Sequence, residues 1–262
     1  MIVTFLSDFG LQDDFVGTCH GVIKTIAPRT EIIDITHGIG PGRILQGALT
    51  LANTLAYMPV GVHLAVVDPG VGSSRRPLAL RDGDGRVFVG PDNGLLLPAA
   101  DRAGIVEAHE LANPAYALSP VSPTFHGRDL FAPAAAHVAA GIALGDLGPP
   151  IAIDALVRLE IPDPVVGDGH LGATVLGIDR FGNVALNLSV ADARIEPGTR
   201  VELSTRGQRY YAVAARTFAD ARDGELLLFE DSYGSLAVAV SRGSAAAVLG
   251  IAEGDALRIE LG

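Results

Sequence analysis

The chain has 262 residues, 48% of them hydrophobic, a formal charge of −11 and one cysteine. That length exceeds the usual ~100–200 residues of a single domain, so one large domain or two smaller ones are open. Acidity without a basic cluster excludes nucleic acid and anionic membrane as main partners, and the lone Cys19 excludes a disulfide framework or a cysteine-rich metal site.

Residues 2–6 read as a strand. Asp13 and Asp14 then stand where a helix begins, and Phe15, Val16, Cys19, Val22, Ile23 and Ile26 recur at helical spacing before Pro28. Residues 31–36 form a second strand, and 43–58 a second helix with Ile44, Leu45, Ala48, Leu49, Ala52 and Leu55 as its buried stripe. Residues 62–67 are a fully apolar third strand; 88–94 continue in the same style into a Pro91-Asp92-Asn93-Gly94 turn, and a helix is expected over 129–140 after His126. This alternation predicts an α/β domain with a central, mostly parallel sheet over residues 1–155. No apolar run approaches the ~20 residues of a membrane span, and residues 1–8 read as a strand rather than a cleavable leader, so a cytoplasmic protein without membrane partners is expected.

The two prolines of 161–164 mark a linker. Beyond it, short alternating runs at 173–178, 184–188, 200–204, 210–214, 225–229, 235–240 and 256–260 predict a smaller all-β, barrel-like domain over 165–262.

Ligands of open α/β sheets bind where loops leave the carboxyl ends of strands, and here those loops are polar. Ser7 and Asp8 follow the first strand, Thr36 and His37 the second, and Val67-Asp68-Pro69-Gly70-Val71-Gly72-Ser73-Ser74-Arg75-Arg76 the third. With Thr124-Phe125-His126-Gly127-Arg128-Asp129 they offer a carboxylate, a guanidinium and an imidazole on glycine-rich backbone. Read singly, Asp68 is a turn residue, His126 a helix cap and Arg75 a solvated loop charge.

In order along the chain, Ser7-Asp8-Phe9-Gly10 with Asp13-Asp14, the Asp68 loop with Arg75, Phe125-His126-Gly127-Arg128-Asp129 with Pro133 and His137, and Asp179-Arg180-Phe181-Gly182-Asn183 resemble the S-adenosylmethionine hydrolase (SAM hydroxide adenosyltransferase) family, relatives of the fluorinating and chlorinating adenosyl enzymes. The resemblance implies attack of an activated water or hydroxide on C5′ of S-adenosyl-L-methionine, giving adenosine and L-methionine without a metal or other cofactor. It implies Asp68, Arg75 and His126 as the catalytic triad. It also places Asp8 on the ribose hydroxyls, Asp13 and Asp179 at the methionine amine, Asn183 on an adenine edge, Phe218 over the adenine face, Ser232 and Tyr233 at the methionine carboxylate, and the Ala245 backbone at adenine. Further, it implies a homotrimer with each site completed at a subunit boundary.

By the same resemblance, the halogenating relatives carry tyrosine at Asp68, threonine at Val71, serine at Gly127 and an extra loop; an anionic Asp68 repels a halide, which favours water as nucleophile. A non-catalytic adenosine or S-adenosylmethionine binder is one alternative. Another is a metal-dependent hydrolase using Asp8, Asp13, Asp68 and His126, which the lack of His/Asp pairing at metal-ligand spacing disfavours. His20, His63, His109, His137 and His170 read as structural.

Overall fold

A computed structural model describes residues 1–167, 169–193 and 195–261. It divides into two compact units, Met1–Leu159 and Glu160–Gly262.

The first unit is a six-stranded sheet in the order β2-β1-β3-β5-β4-β6, built from β1 (Ile2–Ser7), β2 (Glu31–Thr36), β3 (Val62–Val66), β4 (Pro77–Asp82), β5 (Val87–Pro91) and β6 (Ile105–Glu110). β2, β1, β3 and β5 run parallel, whereas β4 pairs antiparallel with both β5 and β6. The central strands are covered on both faces because their side chains alternate between two apolar layers. Val3, Phe5, Leu64 and Val66 pack with Val16, Cys19 and Ile23 of α1 (Phe15–Ile26) on one side. Leu6, Ala65 and Val67 pack with Ala48, Leu51 and Leu55 of α2 (Ile44–Leu55) and with α3 (Leu97–Ala100) on the other.

The buried stripe of α2 is Gly47, Ala48, Leu51, Ala52 and Leu55. The expected stripe was rotated: Leu45 and Leu49 are only half-buried, because Gly47 is the residue that lets the helix approach the sheet. A Cβ there would lie 2.9 Å from Leu95 Cδ1 and 3.0 Å from Val67 Cγ2. The helix expected over 129–140 begins earlier and differently, as a π-helical turn Gly127–Phe131 that runs into α4 (Ala132–Ala139). Such turns concentrate at functional sites, since the extra residue per turn re-aims the side chains before it.

Cys19 is fully buried in this core, and burial pushes its thiol up to about 12, which makes it inert filling. His63 on β3 is also fully buried, its Nδ1 2.9 Å from Thr4 Oγ1 and its ring against Phe88. Burial, and secondarily the charge of Arg86, lowers its pKa to about 4. An imidazole harder to protonate folded than unfolded adds stability that is complete above its ordinary pKa and lost as pH falls towards the folded value. Denaturant unfolding should therefore show about 3 kcal/mol of stability lost between about pH 7 and about pH 4 through this residue alone. His63→Leu should flatten that dependence by the same amount; an unchanged slope would refute the assignment.

The second unit carries β7 (Val165–Gly167), β8 (His170–Ile178), β9 (Val184–Ser189), α5 (Val190–Ala193), β10 (Arg200–Thr205), β11 (Gln208–Ala214), β12 (Leu226–Glu230), β13 (Ser235–Val240), α6 (Ala245–Leu249) and β14 (Ala256–Leu261). Pairing β14-β10-β11-β12-β13-β9-β8 closes on itself through β14 and β8, with β7 added outside β8, so the strands form a closed barrel. Buried and less buried residues alternate along β8, β9 and β10, as a one-sided core requires. Leu171, Val175, Leu186, Leu203, Leu228, Val238 and Ile259 fill the interior.

Candidate active site

Asp68 leaves the end of β3 and the chain folds back through a glycine turn to Arg75. Gly72 has φ of +76°, and a Cβ on it would meet the Pro123 carbonyl oxygen at 2.5 Å, so only glycine lets this loop lie against the segment that delivers His126. Arg75 Nε donates to both Asp68 oxygens at 2.9 and 3.0 Å, and Nη2 donates to Asp68 Oδ2 as well. The same Nη2 donates to His126 Nδ1 at 2.7 Å. All three predicted catalytic side chains are thus one hydrogen-bonded cluster, with the Asp68 and Arg75 side chains 6% and 10% exposed.

The guanidinium rests on the buried Phe131 ring, 5.1 Å from its centroid, and its Nη1 is a buried donor without a hydrogen-bond partner. Phe131 ends the π-helical turn, which is how one short segment both presents His126 and supports Arg75. The sequence reading did not find Phe131; a buried aromatic at helical spacing carries no signal of that second task.

This network fixes a tautomer. A guanidinium only donates, so His126 Nδ1 accepts and the ring proton sits on Nε2. Burial, and then the positive charge of Arg75, lowers the His126 pKa, with Asp68 and Asp129 opposing. The imidazole is accordingly neutral at pH 7 and offers an N–H, not a lone pair, from its outer nitrogen.

The neighbouring Arg76 faces elsewhere. It donates through Nε and Nη2 to Asp92 Oδ2 at 2.9 and 2.6 Å, and Asp92 Oδ1 accepts from the Val157 amide. The Asp92 side chain is 1% exposed. Arg76→Ala should therefore cost about 1–3 kcal/mol in stability, by leaving a buried carboxylate short of a partner, while kcat stays within about twofold of the parent. Chemical denaturation and steady-state rates read the two effects separately.

Asp8, at the end of β1, accepts the Gly42 amide hydrogen on Oδ2 at 2.8 Å, and a Cβ on Gly42 would lie 3.6 Å from Pro69 Cβ. The Asp8 carboxylate therefore sits beside the Asp68 loop, with no hydrogen bond to Oδ1 among the described residues. Phe9, Phe15 and Phe125 stack edge to face, with centroids 5.2 to 6.0 Å apart, as an aromatic wall next to His126. Asp13 is exposed in the turn before α1.

In the barrel, Asp179 Oδ1 accepts the amides of Phe181 and Asn183, and Oδ2 accepts Asn183 Nδ2 at 2.7 Å. These two predicted binding residues hold each other in one turn, with the Asn183 side-chain donor already engaged. The turn docks on the start of α6, where the Ala246 amide donates to the Gly182 carbonyl, so Ala245 lies beside them. The Ala245 side chain is fully buried in the barrel core, which leaves only its backbone for a ligand. Ser232 and Tyr233 occupy the exposed β12–β13 turn, whose amides are held by Asp231 Oδ1. Phe218 is half-exposed, with its ring 5.0 Å from that of Phe229.

Asp8, Asp13, Asp68 and His126 do not converge as a ligand set among the described residues. His20, Asp34 and His37 do, contrary to the expectation that no His/Asp group stands at metal-ligand spacing.

Residues 3–148 match the model of the SAM hydroxide adenosyltransferase N-terminal domain, and residues 173–258 that of the C-terminal domain. The chain belongs to the SAM hydroxide adenosyltransferase family. A relative from Salinispora tropica named (R)-S-adenosyl-L-methionine hydrolase is 48% identical over 261 residues, 99% of this chain and 98% of that protein. A fluorinase from Nocardia brasiliensis is 30% identical over 100% of this chain and 97% of its own length. A crystal structure of a conserved protein from Thermotoga maritima superposes with a TM-score of 0.91 at 35% identity, covering 98% and 99% of the two chains.

Proposed function

We propose that this member of the family hydrolyses S-adenosyl-L-methionine to adenosine and L-methionine, with water as the nucleophile at C5′. The observation that carries the reading is the Asp68–Arg75–His126 cluster, in which one guanidinium ties a carboxylate to a neutral imidazole. The sulfonium is a cationic leaving group that departs without a proton, so catalysis must act on the nucleophile. Asp68 accepts the water proton as the C–O bond forms, because His126 presents an N–H outward and cannot. His126 Nε2–H donates to one lone pair of the water oxygen and leaves the other to form the bond to C5′, while the largely buried Arg75 charge favours the hydroxide character that develops.

Asp8 binds the ribose hydroxyls through Oδ1. Asp13, before α1, meets the methionine amine together with Asp179 of the barrel; also on the barrel, Asn183 reads adenine with its amide oxygen, Phe218 stacks on the base, Ser232 and Tyr233 take the methionine carboxylate, and the Ala245 backbone borders adenine. Assembly into a homotrimer, with barrel residues of one subunit completing the site of the next, belongs to the same reading, as does action in the cytoplasm. Light scattering gives the mass of the assembly directly.

Water is favoured over halide by packing as well as charge. A Cβ on Gly127 would come within 2.8 Å of Phe9 Cζ, so the serine that the resemblance attributes to halogenating relatives does not fit without displacing the aromatic wall. Turnover of S-adenosyl-L-methionine by chelator-treated protein in oxygen-18 water should place the label in adenosine. Unlabelled product, or binding without turnover, would overturn the assignment.

A further inference from the structure

At the β2 edge of the same sheet, three residues from separate elements converge: His20 on α1, Asp34 on β2 and His37 just beyond β2. Their potential ligand atoms all lie within 4.8 Å of one another. His20 Nε2 is 2.9 Å from Asp34 Oδ1, and His37 Nε2 is 3.1 Å from the same oxygen. The first contact is a hydrogen bond. The second is not, and His37 Nε2 is a buried nitrogen without a hydrogen-bond partner.

His37 is only 4% exposed, so its orphan nitrogen is out of reach of bulk water. Its other nitrogen, Nδ1, is held 2.7 Å from Ser7 Oγ, which also accepts the Phe9 amide hydrogen. That second bond locks the ring and aims Nε2 at the Asp34 carboxylate. The buried Phe5 ring, 4.7 Å from the His37 ring and 6.0 Å from the His20 ring, forms an apolar back wall. A β-bulge helps to build the arrangement: pairing steps from Phe5↔Asp34 to Leu6↔Thr36, skipping Ile35.

Two imidazoles and one carboxylate around a shared point, with one imidazole braced from behind by a hydroxyl, is the donor set and supporting shell of a zinc-class cation. His37 Nε2 faces the same carboxylate oxygen at 3.1 Å without making a hydrogen bond to it; a divalent cation between the three groups satisfies all of them. Two ligands on a tetrahedral zinc stand about 3.3 Å apart, close to the two contacts seen, and rotation of the half-exposed His20 and Asp34 side chains opens the remaining space. Calcium and magnesium prefer all-oxygen sites and fit poorly.

We propose that His20, Asp34 and His37 bind one zinc-class divalent cation, with water completing its coordination. Bound there, the cation ties α1 to the end of β2 and, through Ser7, to the turn that carries Asp8. It is separate from the cluster that activates water.

The test uses the full chain stripped with chelator and titrated with zinc alone by calorimetry, and with cobalt by visible absorption. One zinc per chain and the intense visible bands of tetrahedral cobalt are expected. His20→Ala, on a partly exposed helix face and compatible with folding, should weaken zinc binding more than about 100-fold, and Ser7→Ala about 10–100-fold. His37→Gln should abolish the cobalt spectrum, with circular dichroism checking the fold. His126→Gln, which removes the imidazole of the Asp68–Arg75–His126 cluster, should leave stoichiometry and affinity unchanged. No zinc uptake by the parent chain, undiminished affinity in His20→Ala, or loss of binding in His126→Gln would each overturn the site.

Discussion

Asp68→Asn should lower kcat for adenosine release by about 10²–10⁴ while changing KM for S-adenosyl-L-methionine by less than about threefold. The substitution keeps size and planarity and leaves one oxygen to accept from the Arg75 guanidinium, while the amide NH2 faces a guanidinium N–H that a carboxylate oxygen accepts in the parent. What is lost is the basic oxygen. An amide cannot take the water proton, and the tautomer fixed by Arg75 on His126 Nδ1 at 2.7 Å prevents the imidazole from substituting. Because the proton moves only as the C–O bond forms, the loss falls on the transition state and not on ground-state binding. Single-turnover release of adenosine, followed chromatographically, separates this from slow product release. If Asp68→Asn retained a tenth or more of the parent rate while His126→Gln lost activity entirely, the base would be His126 and the proton assignment would reverse.

The parts of the fold legible in the sequence are those where burial is complete. The apolar runs of β1, β3 and β5 are buried on both faces, and such strands announce themselves without alternation. β4 and β6 went unread because β4 opens on Pro77 and ends on Arg81 and Asp82, while β6 contains Glu107, His109 and Glu110. Those charges are reconciled with the sheet by contacts that no linear reading exposes: Arg81 Nε donates to Glu107 Oε1 across the strand pair, and Asp82 Oδ1 accepts the amides of Asp84 and Arg86 in the hairpin turn.

A similar division holds in the site. Asp68 and Arg75 share one loop, and His126 came from an ordered set of motifs; which atom faces which did not, since the tautomer depends on three side chains meeting at one guanidinium. The His20, Asp34 and His37 group was missed for a different reason. Only the last two are near in sequence, and the third is brought in by the packing of a helix on an edge strand.

Arg75→Gln should lower kcat by about 10²–10³ and shift the acid limb of the kcat/KM profile to higher pH. The two effects have one origin. Burial is the larger cause of the lowered His126 pKa, and the Arg75 charge is the next; Asp68 pulls the other way. Removing the guanidinium removes a depressing charge and frees the carboxylate to stabilise imidazolium, so both changes raise the His126 pKa. In the parent, His126 stays neutral down to a pH below its ordinary value, and activity should fall only when protonation of Nδ1 breaks the contact with Arg75. In the variant that fall begins at higher pH. Arg75→Lys keeps a positive charge but not the fork that donates to Asp68 and His126 together, so it should hold the acid limb nearer the parent position while recovering little of kcat. A pH series on all three proteins reads this directly. If Arg75→Lys restored kcat to within about threefold of the parent, the bidentate geometry would be dispensable and the guanidinium would act as a point charge alone.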